Sequence, residues 1–258
     1  MDQKSLLVIV NPKAGRSKPR GPLFDAARVF CRAGYLLSIR DTDAPGKATA
    51  IAAGEGASYD AVVAVGGDGT LNETISGLMQ LAEKPLLGYL PAGSTNDFAA
   101  TLHIPAVPYM AANIITQGAP MAMDVGRHNN RYFSYVASFG AFTRASYATP
   151  QDIKNALGHT AYVLEGIQEL SQIRKEHVRM DIDGRIVEDD FLFGAISNST
   201  SVGGILTLDP SQVDMRDGLL EILLVRATPV TYTHLRAHAT PGQPVCRLLL
   251  SKKTTKQH

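Results

Sequence analysis

Residues 59–79, YDAVVAVGGDGTLNETISGLM, pass from an unbroken apolar run through three glycines around one aspartate into a second apolar pattern. The first part reads as a buried strand. After the turn, Leu71, Ile75, Leu78 and Met79 recur at helical spacing and share one face. Strand, glycine turn and helix in immediate succession form one half of a βαβ unit, so this stretch decides the fold class.

Working outward, the same alternation repeats. Residues 5–10, SLLVIV, read as a buried strand closed by the turn NPKAG, and 24–33 as a helix stopped by Gly34. YLLSIR at 35–40 is a second strand, and TDAPGKATAIAAGEG a turn leading into an Ala-rich helix. PLLGYL at 85–90 is a further strand. Strands alternating with helices at this spacing predict an α/β, Rossmann-like three-layer domain with a parallel sheet, whose ligands sit at the carboxyl ends of the strands. From about residue 123 the texture becomes strand-like, with Asp183-Gly184 as a hairpin turn and one helical stretch over Thr160–Ile173. The expected organisation is 1–122, an α/β domain; 123–230, a mainly β, sandwich-like domain; and 231–258, a basic tail.

Composition bounds the function classes. The chain has 258 residues, 45% of them hydrophobic, and a formal net charge of +1. No apolar run approaches the ~20 residues of a membrane span, and no signal-peptide core is present, which predicts a cytoplasmic protein. Cys31 and Cys246 lack metal or disulfide spacing, and His103, His128, His159 and His177 stand apart. All 24 acidic residues lie at or before Glu221. The body is thus mildly acidic, with no nucleic-acid footprint.

A glycine-rich turn opening a helix presents unpaired backbone N–H groups and the positive end of the helix dipole, and so suits phosphate. The stretch is neither a Walker A loop nor GxGxxG. Asp68 within it either holds a cation that bridges to phosphate or caps a helix. NPKAGRS, 11–17, leaves the first strand with donors and Lys13, Arg16, Lys18 and Arg20 nearby; PAGSTNDFA, 91–99, leaves another with capping residues. One nucleotide accounts for all three turns.

NPKAG, GGDGTLNE and PAGSTNDFA, in that order, followed by MDVG at 123–126 and MRDGLLEILLV at 215–225, resemble the bacterial diacylglycerol kinase and lipid kinase family, which is related to sphingosine kinases. The resemblance covers residues 5 to about 228. It implies ATP-dependent phosphorylation of a lipid hydroxyl, most simply diacylglycerol to phosphatidic acid, by a cytoplasmic enzyme that visits the inner membrane face, with a homodimer as a candidate assembly. Carried over by position, it implies nucleotide contacts at Asn11, Pro12, Lys13, Ala14, Gly15, Arg16, Ser17, Thr42, Gly66, Gly67, Asp68, Gly69, Thr70, Leu71, Asn72 and Ser94. It assigns Asp68 the catalytic part. A Mg²⁺ loop falls on DMRDGL, with the Asp217 carboxylate and the backbone carbonyls of Asp214 and Leu219. The hairpin-type turn is the alternative for that loop.

The general base is the departure. The family resemblance places a glutamate in a C-terminal DGE motif, and this chain has DGR at 183–185 and DGL at 217–219 instead. The tail carries five basic residues and no acid. It is read as foreign sequence, with the β domain incomplete; a basic segment touching anionic lipid is the alternative. Two other functions stay open. An NAD kinase also carries GGDGT, and a non-catalytic nucleotide or lipid binder needs no base.

Overall fold

The computed structural model describes residues 3–14, 20–129, 131–140, 175–202, 206–207, 209, 211, 213–226 and 247–249. The helix expected over 160–173 and the nucleotide contacts expected at Gly15, Arg16 and Ser17 lie outside them. The chain divides into two compact units, one of 1–135, 198–219 and 242–258 and the other of 136–197 and 220–241.

In the first unit, β1 (Lys4–Val10), β2 (Tyr35–Asp41), β3 (Ala61–Gly66) and β4 (Leu86–Pro91) form a parallel sheet in the order β2-β1-β3-β4. The central strands are buried on both faces, which is why they read as unbroken apolar runs. Alternation sorts their side chains. Leu7, Ile9, Val62 and Ala64 join one core with residues of α2 (Lys47–Glu55) and α3 (Asp68–Leu78). Leu6, Val8, Val10, Val63 and Val65 join the other, with Ala26 and Phe30 of α1 (Arg20–Arg32) and Ala111 and Ala112 of α5 (Pro108–Gln117). The result is the expected three layers. A shorter helix, α4 (Asp97–Thr101), lies between β4 and α5.

Leu71, Ile75, Leu78 and Met79, grouped by spacing in the sequence, are all buried in the first of these cores. Helices α2 and α3 approach so closely that a Cβ on Gly77 would lie 2.4 Å from the Thr49 carbonyl and 2.6 Å from the Ala52 Cβ. Gly77→Ala is therefore expected to lower stability by about 2–3 kcal/mol, by forcing the helices apart, as read by urea denaturation.

The first unit also contains β5 (Ala122–Asp124), β6 (Gly126–His128) and β7 (Arg131–Phe133), then β11 (Ser201–Val202) and β12 (Leu206–Thr207). β14 (Arg247–Leu249), from the basic tail, pairs antiparallel with β5. The second unit is an antiparallel sheet of β8 (Val136–Gly140), β9 (Glu176–Ile182), β10 (Arg185–Ser197) and β13 (Glu221–Arg226). Strand β10 sits between β8 and β13 and extends beyond them to pair with β9. The β9–β10 hairpin turns at Asp183 and Gly184, both in the left-handed region with φ of 51° and 85°, as the Asp-Gly signal predicted.

Candidate active site

The order β2-β1-β3-β4 reverses direction at β1, which leaves a switch point between β1 and β3. The strand ends there are level. Thr42 N–H donates to Val10 O at 2.8 Å, Asn11 N–H to Val65 O at 2.9 Å and Ala92 N–H to Gly66 O at 2.7 Å. The loops after all four strands thus leave from one edge, within a single unit.

The loops after β1 and β4 are each tied to the one after β3. Asn11 accepts the Lys13 N–H on Oδ1 at 3.0 Å, an Asx turn that shapes the first loop, and its Nδ2 donates to Thr70 Oγ1 at 3.2 Å. On the other side the Asp68 carboxylate accepts the N–H groups of Asp97 and Phe98, each at 3.1 Å. Asp68 therefore caps a helix as the bland reading of the sequence allowed, but the helix is α4 rather than its own. Burial pushes its carboxyl above the ordinary range, and the backbone donors of Phe98 and Asp97 pull it back.

Glycines make the third tie. A Cβ on Gly93 would stand 2.5 Å from the Gly67 Cα, so the loops after β3 and β4 touch backbone to backbone. Asn96, left-handed with φ 54°, holds the loop after β4 in shape, accepting the Gly93 N–H at 2.9 Å and donating to the Gly93 carbonyl at 2.9 Å. The Tyr89 hydroxyl lies within hydrogen-bond distance of both the Gly66 carbonyl and Asn96 Oδ1. Burial, then the Asp68 charge, raises that phenol's pKa.

What this frame leaves exposed is the start of α3. Its N-cap is Gly67, which contributes no side-chain cap. Leu71 N–H closes the first helical bond to Gly67 O at 3.1 Å. A Cβ on Gly69 would meet nothing within 4 Å, whereas one on Gly66 would collide with the Thr70 side chain. Packing thus accounts for Gly66, Gly67 and Gly93, and not for Gly69.

Family models match the chain as a diacylglycerol kinase catalytic domain over residues 5–128 and as a YegS C-terminal NAD kinase beta sandwich-like domain over 136–237. A diacylglycerol kinase of Bacillus subtilis is 34% identical over 226 residues, covering 86% of this chain and 74% of that one. One of Staphylococcus aureus is 33% identical over 245 residues, covering 93% and 77%. The crystal structure of a diacylglycerol kinase from Bacillus anthracis is 30% identical with a TM-score of 0.72, covering 88% of this chain and 75% of that one. The chain belongs to the diacylglycerol kinase family. It is a kinase by membership, with the two-part α/β and β architecture expected.

Against the contacts that the family resemblance implied, the structure gathers Asn11, Thr42, Gly66, Gly67, Asp68, Gly69 and Thr70 at the strand-end edge. Pro12, Lys13 and Ala14 follow Asn11 in the first loop, and Ser94 is exposed in the loop after β4. Two residues have other duties. The Leu71 side chain is fully buried in the core. The Asn72 amide donates to Tyr132 O at 3.1 Å and accepts the Ser134 N–H at 3.0 Å, clamping β7 and the residue after it to α3.

The loop DMRDGL folds as a turn held from below. Gly218 N–H donates to Asp124 Oδ2 at 2.6 Å, Asp124 N–H donates to Met215 O at 2.8 Å, and Asn198 Nδ2 donates to Asp124 O at 2.7 Å. Asp217 Oδ1 accepts the Leu219 N–H at 2.9 Å, and Asp214 Oδ1 accepts the Arg216 N–H at 3.1 Å. Among the described residues no group of three or more His, Cys, Asp or Glu side chains could hold a metal. One carboxylate with two carbonyl oxygens is a hard donor set of the type Mg²⁺ takes, and these residues fit it in chemistry.

Sequence reading missed Asp124, 1% exposed, and Asn198, fully buried, as the braces of that loop. It also missed Glu73, whose carboxylate accepts the N–H groups of Gly46 at 2.9 Å and Ala48 at 3.3 Å and so caps α2. Asn96 had a signal in its tolerance of the left-handed region. Glu73 had none, since its partners are supplied by tertiary packing.

Proposed function

We propose that this protein transfers the γ-phosphoryl group of ATP to a lipid hydroxyl, most simply converting diacylglycerol to phosphatidic acid, as a peripheral enzyme at the inner membrane face. The observation that carries the reading is the uncapped start of α3, ringed by three interlocked loops, with an open glycine where a ligand would lie. Phosphoryl transfer asks mainly for positioning and charge stabilisation. The N–H groups of α3's first turn would bind phosphate oxygens, and Lys13, exposed in the first loop, would offset their charge. Asp68 fixes α4 and the loop after β4 against this surface. Its oxygens keep lone pairs beyond the two N–H bonds, so it also suits the cation that accompanies a nucleotide. Asp217, with the carbonyls of Asp214 and Leu219, would hold Mg²⁺ as hard oxygen donors. Such an ion supplies charge neutralisation.

The open space over Gly69 has its own test. Gly69→Ala is expected to raise stability by up to about 1 kcal/mol, because alanine is the better helix former. It is expected to weaken ATP binding about tenfold, by holding phosphate off the backbone. Calorimetric titration with a non-hydrolysable ATP analogue reads the second effect; unchanged affinity would remove Gly69 from the site.

A labelled-ATP assay with Mg²⁺ and a panel of diacylglycerol, sphingoid base and NAD tests the function. Label on diacylglycerol, even slowly, is the expected result, and label on NAD alone would overturn it. A second reading, a nucleotide binder without turnover, is favoured by one observation: the chain has no DGE motif. ATP binding with no transfer to any acceptor would select it.

A further inference from the structure

Residues 98–123 contain no Asp, Glu, Lys or Arg. They include α5, whose outer face would ordinarily be charged. Val107, Tyr109, Met110 and Ile114 are instead 43–49% exposed. Helix α1 packs beside α5 and covers the same face of the sheet. It exposes Phe24 by 66%, the largest value among the large apolar side chains of the described residues. The exposed charges of α1 among the described residues are Arg28 and Arg32 against Asp25. Neither arginine is in an ion pair with a described residue.

We propose that the face formed by α1 and α5 docks on an anionic lipid surface, α5 and Phe24 entering the headgroup–acyl boundary while Arg28 and Arg32 meet lipid phosphates. Exposed apolar residues bordered by cations and poor in acids are the pattern of an interfacial helix. Charge also argues against the other occupant. A second copy would set this cationic border against its own like, whereas an anionic bilayer opposes it with the complementary sign. The position is useful as well. The Asp68 carboxylate binds the start of α4, and only α4 and the link Leu102–Val107 lie between that point and α5, so α5 begins no more than about 30 Å from the loop after β3.

This deepens the lipid-kinase reading and rests on it. The test is co-sedimentation of the purified chain with vesicles of phosphatidylglycerol and phosphatidylcholine, set against phosphatidylcholine alone. Binding to the anionic vesicles is expected. Met110→Ser with Ile114→Ser should reduce it about tenfold, the loss of two partly buried apolar side chains. Arg28→Glu with Arg32→Glu should reduce it at least tenfold and remove its sensitivity to salt. The two variants lie on different helices, so a folding defect in one leaves the other to read the same face. Unchanged partitioning of a folded variant would overturn the proposal. So would a change of oligomeric state in the serine variant, which would make the face a contact between copies. Transfer to a short-chain, water-soluble diacylglycerol reads the activity separately. A protein that binds vesicles but phosphorylates no lipid counts against the kinase reading and not against the docking face.

Discussion

Replacing Asp68 with alanine is expected to cut phosphoryl transfer by about three orders of magnitude and to lower stability by about 2 kcal/mol, with the protein still folded. Two effects combine. The carboxylate holds two N–H groups at the start of α4, and removing it leaves both without their charged acceptor. Once α4 is released, the loop after β4 keeps its ties to Gly66 and Gly67, through the Ala92 N–H, the Tyr89 hydroxyl and the Gly67–Gly93 contact, but loses its tie to α3. A displacement of about 1 Å at such a site is worth roughly a hundredfold in rate, and loss of the charge near the phosphoryl group supplies the remainder. Labelled-phosphate transfer at saturating ATP and urea denaturation measure the two effects separately. Asp68→Asn divides them further. The amide keeps one acceptor oxygen but no charge, so it should retain about half of the stability and little of the rate. Near-normal transfer by the alanine variant would show that Asp68 serves the fold alone.

Much of this site was legible because its chemistry is local. The three strand-end turns, the glycine positions and the Asp-Gly hairpin each depend on a backbone conformation that adjacent residues impose. The apolar runs of β1 and β3 announced a sheet covered on both faces, and their alternation sorted residues correctly between two cores. What stayed hidden depends on contacts between distant segments. The role of Asp68 as a cap for α4 joins residues 68 and 97, and Glu73 caps a helix that begins before it. The return of 198–219 to the first unit, carrying Asn198 and Gly218 to Asp124, has no signature in spacing or hydropathy. Leu71 and Asn72 sit within the motif and still serve packing, because the helix leaving this glycine turn directs these positions toward the protein.

Among the carboxylates around the strand-end loops, engagement is the rule. Asp68 holds α4, Glu73 caps α2, and Asp124, almost wholly buried, holds Gly218. A general base must instead reach the acceptor hydroxyl and take its proton. The DGE motif in which the family resemblance places that glutamate does not occur in these 258 residues. The chain is therefore expected to bind ATP normally and to phosphorylate diacylglycerol roughly 10²–10⁴ times more slowly than a diacylglycerol kinase with the DGE motif, the share that a positioned base contributes. Initial rates at saturating substrates, beside calorimetric ATP binding, measure the gap. Extending the chain with a relative's segment bearing DGE should restore the rate, and Glu→Gln in that segment should remove the gain. Rapid phosphatidic acid formation by the 258-residue chain itself would place the proton transfer elsewhere. Asp97, buried at the start of α4 beside Asn96, would then be the carboxylate to substitute next.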